Sequence, residues 1–347
     1  MRILLYTDPH FCQYSSIVRK RGNKYSARLE NLVESINWVE NLVAEKFCQA
    51  VFCLGDFFDK PELNAEEITA LKEIQWDQEA YHYFLVGNHE SNRNNLVYSS
   101  TNCLKNIPNC SIIDTPTLEQ WNTSHSFLFL PYILEEDRKP LIEYLKESKK
   151  PAIIFSHNDI KGIQYGKFES VEGFDLTEIE QNCDMFINGH LHNGLFLNEV
   201  ETILNLGNLT GQNFSENAFE YKHFACILDT DTLRLEFYEN PYAFNFYKVD
   251  IKTKNDFNTL NNLVNAVLTI RCSHDLVPEL KTYIDNLSNI KEYRIISVKE
   301  ELSSEAVKEE LKLNSIDHLQ QFNDFVIEKL GTAKEIIEEL NYITGGM

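Results

Sequence analysis

The sequence predicts an α/β protein with a wound core of interior strands. Short apolar runs alternate with amphipathic helical patterns through most of the chain, which is the signature of crossover units. Several of the runs are apolar at every position, as in strands covered on both faces. A length of 347 residues with 43% hydrophobic and 12% aromatic content supports a sizeable core and excludes extended disorder.

The elements follow in order. "ILLYT" is a strand that stops at Asp8, Pro9 and His10. Residues 27–47 place Leu29, Leu32, Val33, Ile36, Val39, Leu42 and Val43 three or four apart, which predicts an amphipathic helix. "QAVFCLGD" is a buried strand, "NAEEITALKEIQ" a helix and "YHYFLVGNHE" a strand. "SFLFLPYI" (strand), "EEDRKPLIEYLKES" (helix), "PAIIFSHND" (strand), "DLTEIEQNC" (helix) and "DMFINGHLH" (strand) continue the alternation. "ETILNLGN" is a further strand, and "KHFACILDT" and "LRLEFYEN" read as a pair joined by a turn at residues 229–231. The texture changes near residue 245. "AVLTIRC", a helical "DLVPELKTYIDNL" and "EYRIISVKE" form a small β-α-β unit. From about Ser303, "IDHLQQFNDFVIEKL" and "TAKEIIEELNYI" are two amphipathic helices. The expected domains are therefore 1–245, 246–302 and 303–347.

No apolar run is long enough to cross a bilayer, and the first is too short for a signal-peptide core. A cytoplasmic protein is expected. The eight cysteines form no C-x-x-C pair, and several lie in apolar runs, so free buried thiols are expected. A net charge of −21 argues against a general polyanion-binding surface. One local exception is "RKRGNKYSAR", which holds Arg19, Lys20, Arg21, Lys24 and Arg28.

The chemistry lies where the strands stop. "ILLYT" ends at Asp8 and His10, and "VFCLG" at Asp56 with Asp59 three positions on. "YFLVG" ends at Asn88 and His89, "AIIFS" at His157, and "MFING" at His190 and His192. The C-terminal edge of an open α/β sheet is where loops converge on a ligand. Carboxylate, amide and imidazole donors without thiolate suit divalent Mn, Fe or Zn. The donors are too many for one ion, and two ions sharing a carboxylate use them naturally.

"DPH", "GDFFD", "GNHE", "SH" and "GHLH" resemble the five blocks of the calcineurin-like metallophosphoesterases. The resemblance implies a four-layer sandwich of two mixed sheets flanked by helices, with two divalent ions, Mn2+ foremost and Fe, Zn or Mg as alternatives. It implies that Asp8, His10, Asp56 and His192 hold one ion. Asp56, Asn88, His157 and His190 then hold the other, with Asp56 the bridge. His89 resembles the family's non-ligand histidine, which serves the leaving oxygen. Glu90 is expected to orient His89 through a hydrogen bond, and Asp59 to support the ligands.

Within the family, a Ser/Thr phosphatase calls for Arg-Gly after the second aspartate, where this chain has Lys60-Pro61. The chain resembles the SbcD-type nuclease subunits more closely. Its blocks begin at residue 8, "LNLGNLTGQNFSE" follows "GHLH", a closing hairpin comes next, and a small β-α-β unit stands where those proteins carry a cap. That implies exonuclease action on duplex ends and endonuclease action on single-stranded or structured DNA. It also implies an SbcC-like coiled-coil ATPase bound by the C-terminal helices, and a homodimer through residues 63–75 and 91–106. Arg19, Lys20, Arg21, Lys24 and Arg28 are the expected DNA contacts. Because the chain is acidic, partners are expected to supply much of the DNA-binding surface. A small-molecule phosphodiesterase, a phosphoprotein phosphatase and a mainly DNA-bridging subunit remain the alternatives.

Overall fold

A computed structural model describes residues 1–13, 22–92, 95–120, 126–146, 152–165, 168–214 and 216–298. Its centre is a pair of six-stranded mixed sheets. The first contains β1 (Arg2–Tyr6), β2 (Ala50–Cys53), β3 (Tyr81–Leu85) and β4 (Cys110–Ile113), all parallel. The second begins with β5 (Thr117–Gln120) and β6 (Ser126–Leu130), and continues through β7 (Ala152–Ser156) and β8 (Met185–Asn188). The short β9 (Leu195–Phe196) and β10 (Ile203–Asn205) complete it, in the order β9-β10-β8-β7-β6-β5. The hairpin β11 (Phe224–Asp229) and β12 (Arg234–Glu239) returns to the first sheet and pairs antiparallel with β1.

Alternation along β1 explains the layering. Ile3 and Leu5 face Phe52, Phe127, Phe129, Ile153, Phe155 and Ile187 between the sheets. Leu4 and Tyr6 face the opposite way, onto helix α1 (Ala27–Glu45). Ser26 caps α1 by accepting from Leu29 N, and Leu29, Leu32, Ile36 and Val39 are buried along one stripe. Helix α2 (Ala65–Leu71) starts at a capping box between Asn64 and Glu67. The outer face of the second sheet is covered by α3 (Leu141–Tyr144) and α4 (Leu176–Asn182). The result is four layers, helix–sheet–sheet–helix.

The expected helix over 135–148 is broken. A 3-10 turn at Glu135–Asp137 is separated from α3 by Pro140, which lacks an amide proton and keeps Lys139 out of the helical region. The third sheet also differs from expectation. It opens with a strand not foreseen, β13 (Asn245–Ile251), followed by a 3-10 helix at Lys254–Asn262. Then come β14 (Ala266–Ser273), α5 (Val277–Ile284) and β15 (Ile290–Val298). All three strands are parallel. Parallel neighbours need a crossover, and the 3-10 segment supplies the first of the two. Residues 303–347, expected as two helices, lie outside the described residues. No described helix is long and apolar enough to cross a membrane.

Candidate metal centre

The strand ends converge through a ladder of loop contacts. Asp8 N donates to Gly55 O at 3.2 Å and His10 N to Asp56 O at 3.1 Å, so the first and second ligand loops run side by side. Asp8, His10, Asp56 and His190 all adopt positive φ, between 46° and 70°. Such conformations cost non-glycine residues about 1–3 kcal/mol each and persist only where the surroundings impose them. Two glycines make room. Gly55 has φ +107°, and a Cβ there sits 2.1 Å from His157 Nδ1. A Cβ on Gly87 meets Asp56 Oδ1 at 2.0 Å.

Two candidate ligand groups result, beside a third in which His10 meets Asp59 and His89. Asp8, His10 and His192 bring one donor atom each within 4.8 Å of the others, and so do Asp56, His157 and His190. Asp56 Oδ2 joins the groups, lying 3.3 Å from His157 Nε2 and 3.8 Å from His10 Nε2. His10 Nε2 is also 3.7 Å from Asp8 Oδ1. His10 turns Nδ1 to Asp59 Oδ1 at 3.0 Å, and His157 turns Nδ1 to the Leu54 carbonyl at 2.7 Å. Each ring therefore presents Nε2 to the pocket.

The electrostatics favour cation binding. Burial opposes ionisation of Asp8 and Asp56, yet the nearby histidines, His157 foremost, hold both carboxyls below their usual range. Burial likewise opposes charge on His10 and His157. The carboxylates win again, with Asp59 the main partner of His10 and Asp56 that of His157, and the rings rise to about 10 and about 9.

The residues fit a divalent-metal pair by a direct criterion. Among the described residues, the buried side-chain atoms without a hydrogen-bond partner include Asp8 Oδ1, His10 Nε2, Asn88 Oδ1 and His157 Nε2. Leaving buried polar groups unmade costs about 1–3 kcal/mol each, so four such atoms on the strand-end loops call for a ligand. Oxygen and imidazole donors without thiolate match a divalent first-row cation.

The remaining expected residues distribute unevenly. His89 stands exposed at the rim. Its amide donates to Asp56 Oδ1 at 3.0 Å, its ring packs edge-on to His10 at 4.7 Å, and its Nδ1 lies 3.3 Å from the Asp59 carbonyl. Asp59 thus touches both His10 and His89. Glu90 does not orient His89. It is fully buried, and its carboxylate accepts from Phe58 N at 3.0 Å and Gly87 N at 2.8 Å, tying the second ligand loop to the third. Burial, with Asp56 nearby, raises Glu90 to about 7.

Arg28 is not a surface contact for DNA. It is buried and donates to Pro9 O at 3.1 Å and Gly211 O at 2.8 Å, clamping the loop between Asp8 and His10. Lys24 is exposed and ion-pairs with Glu73. Arg19, Lys20 and Arg21 lie outside the described residues.

Two carboxylates at the site went unforeseen. Asp159 Oδ1 lies 3.3 Å from His190 Nε2, and Glu216 Oε1 lies 3.7 Å from His192 Nδ1. Asp159 follows "SHN" and carried a faint signal; Glu216, 24 positions beyond His192, carried none in its spacing.

A model of the family described as calcineurin-like phosphoesterase matches residues 1–194. No curated protein matches the chain significantly. Among solved structures, an archaeal phosphodiesterase is 17% identical, with 69% of this chain and 99% of that one covered, at a TM-score of 0.37. A dimetal phosphatase from Danio rerio is 13% identical over 65% and 91%, at 0.38. The calcineurin-like phosphoesterase YfkN from Bacillus subtilis is 11% identical over 69% and 88%, at 0.37.

Proposed function

The chain belongs to the calcineurin-like phosphoesterase family, and from that footing we propose that it is a metal-dependent DNA nuclease of the SbcD type. Phosphoester hydrolysis comes with the family. The proposal adds the substrate: duplex DNA ends cleaved exonucleolytically, and single-stranded or structured DNA cleaved endonucleolytically, in recombination and double-strand break repair.

One observation carries the substrate choice. The start of the third sheet packs on the segment just before Glu216, with Phe244, Phe246 and Val267 against Ala27 and Phe214. Phe214 sits two residues before Glu216, whose carboxylate reaches toward His192. A cap in this place extends the wall of the site beyond what a small ester needs, as a polymer substrate calls for.

When bound, two divalent ions supply an activated water and offset charge on the phosphate oxygens. Asp8, His10 and His192 would hold one, Asn88, His157 and His190 would hold the other, and Asp56 would serve both. Mn2+ is the proposed metal. His89, exposed at the rim and tethered to Asp59, is placed to give a proton to the leaving oxygen.

Partners complete the proposal. Residues 303–347 bind an SbcC-like ATPase. The chain dimerises through 63–75 and 91–106, a reading supported by an apolar cavity of about 660 Å3 lined by Leu63, Ile68, Leu71, Trp76, Leu104 and Ile107.

The test is a comparison of substrates. The full chain is incubated with Mn2+ and linear duplex DNA, single-stranded DNA, a nucleotide diester or a phosphopeptide. Shortening of DNA as the preferred reaction supports the proposal. Preference for the small diester or the phosphopeptide overturns the DNA assignment, and activity on none of them argues for a bridging subunit.

A further inference from the structure

We propose that Asp159 and Glu216 are positioning residues that divide the metal centre between them, Glu216 orienting His192 and Asp159 orienting His190. The inference rests on the dinuclear reading of the site and is independent of which phosphoester is the substrate.

A histidine holds a metal well only when its other ring nitrogen is anchored, because the anchor sets both tautomer and ring direction. Two of the four histidines here are anchored by a hydrogen bond, and the other two each face a carboxylate of their own. His10 uses Asp59 and His157 uses the Leu54 carbonyl, both through Nδ1. His192 also points Nδ1 at its carboxylate, Glu216. His190 is reversed, with Nε2 toward Asp159. His190 therefore offers Nδ1 to its ion, while His192 offers Nε2. The two histidines are only two residues apart, and His190 has φ +70°, so opposite anchors keep their rings from competing for one ion.

Both anchors are themselves held. Glu216 is 5% exposed and accepts from Gln212 N at 3.0 Å, Asn213 N at 3.3 Å and Asn208 Nδ2 at 3.2 Å. Gln212 in turn donates from Nε2 to the Asp8 carbonyl at 2.9 Å, so the Glu216 loop is locked to the first ligand strand. A second imidazole, His223, faces Glu216 Oε2 at 4.0 Å, but its Nδ1 is already committed to the Asn208 carbonyl at 3.0 Å. Asp159 follows Asn158, whose amide donates to the Leu130 and Pro131 carbonyls, and the Asp159 carbonyl accepts from Phe174 N. A rigid mount is what an orienting group requires.

The experiment is Mn2+ titration of the full chain by calorimetry, with two substitutions and two backgrounds. Glu216→Gln keeps an oxygen for the Gln212 and Asn213 amides while removing the charge facing His192. It should weaken one of the two Mn2+ sites about 10–100-fold and leave the other unchanged. Asp159→Asn should do the reverse. Each effect should vanish where its histidine is already gone, Glu216→Gln in His192→Ala and Asp159→Asn in His190→Ala. Weakening of both sites together, no weakening, or an effect of the same size in the histidine-deleted background overturns the proposal. Long-range nitrogen–proton correlation spectra of the metal-free protein give a second measure that a merely structural role does not move. The Nε2–H tautomer at His190 and the Nδ1–H tautomer at His192 support it, and the opposite assignment contradicts it.

Discussion

Asp56 Oδ2 lies 3.3 Å from His157 Nε2, and the oxygen has no donor to quench it beyond the rings that face it. Among the described residues it faces a histidine of each candidate ligand group, His10 and His157. Replacing Asp56 by Asn keeps the shape and removes the charge both ions need. Activity should fall about 10^3-fold, the share that several kcal/mol of metal-borne stabilisation represents. Metal analysis after dialysis should show both ions lost, whereas loss of only one would place the bridge elsewhere.

His89 is exposed, and its Nδ1 is turned to Asp59, 3.3 Å from the carbonyl and 3.8 Å from Oδ1. His89→Ala should lower turnover about 10^2–10^4-fold with bound metal unchanged. Parallel loss of metal and turnover would make it a ligand.

Protons must leave before metal can enter. In the metal-free pocket His10 and His157 are held protonated to about 10 and about 9, against an ordinary 6.5. Mn2+ uptake at pH 7 should therefore release about two protons, and affinity should climb with pH. The same shifts act on the stability of the metal-free protein. The two rings contribute in full below about 6.5, and that contribution fades as pH rises through about 9 and 10. Calorimetry in buffers of differing ionisation heat counts the protons; a count of zero would refute the protonated pocket.

Arg28 braces two buried carbonyls. Arg28→Ala removes the Gly211 O donor and leaves Pro9 O only Gln212 Nε2 at 3.3 Å, and should cost about 1–3 kcal/mol in denaturant unfolding. Arg28→Lys should recover only part, because one ammonium does not span both carbonyls as a planar fork does. An unchanged midpoint for Arg28→Ala would return Arg28 to the surface role expected from its charge.

The contrast between Arg28 and the ligands shows what a sequence can disclose. Asp8, Asp56, Asn88, His157 and His190 were legible because each directly ends a short apolar run, and strand ends meet by topology alone. Arg28 was misread as one of a run of basic DNA contacts. It stands one helical turn before Leu32, and that spacing already put it on the buried face of α1. Strand β13 was missed because Lys248 and Asp250 interrupt its apolar character, although Tyr247, Val249 and Ile251 fall on one face. Glu216 was illegible for a different reason: the loop that brings it to His192 is tied down by the Gln212 side-chain amide donating to the Asp8 and Pro9 carbonyls, and no local spacing encodes those bonds.

Anomalous diffraction from a crystal of the full chain grown with Mn2+ tests the central claim most directly. Two manganese peaks flanking Asp56 are predicted, one against Asp8, His10 and His192 and the other against Asn88, His157 and His190. A single peak, or peaks remote from Asp56, would contradict it.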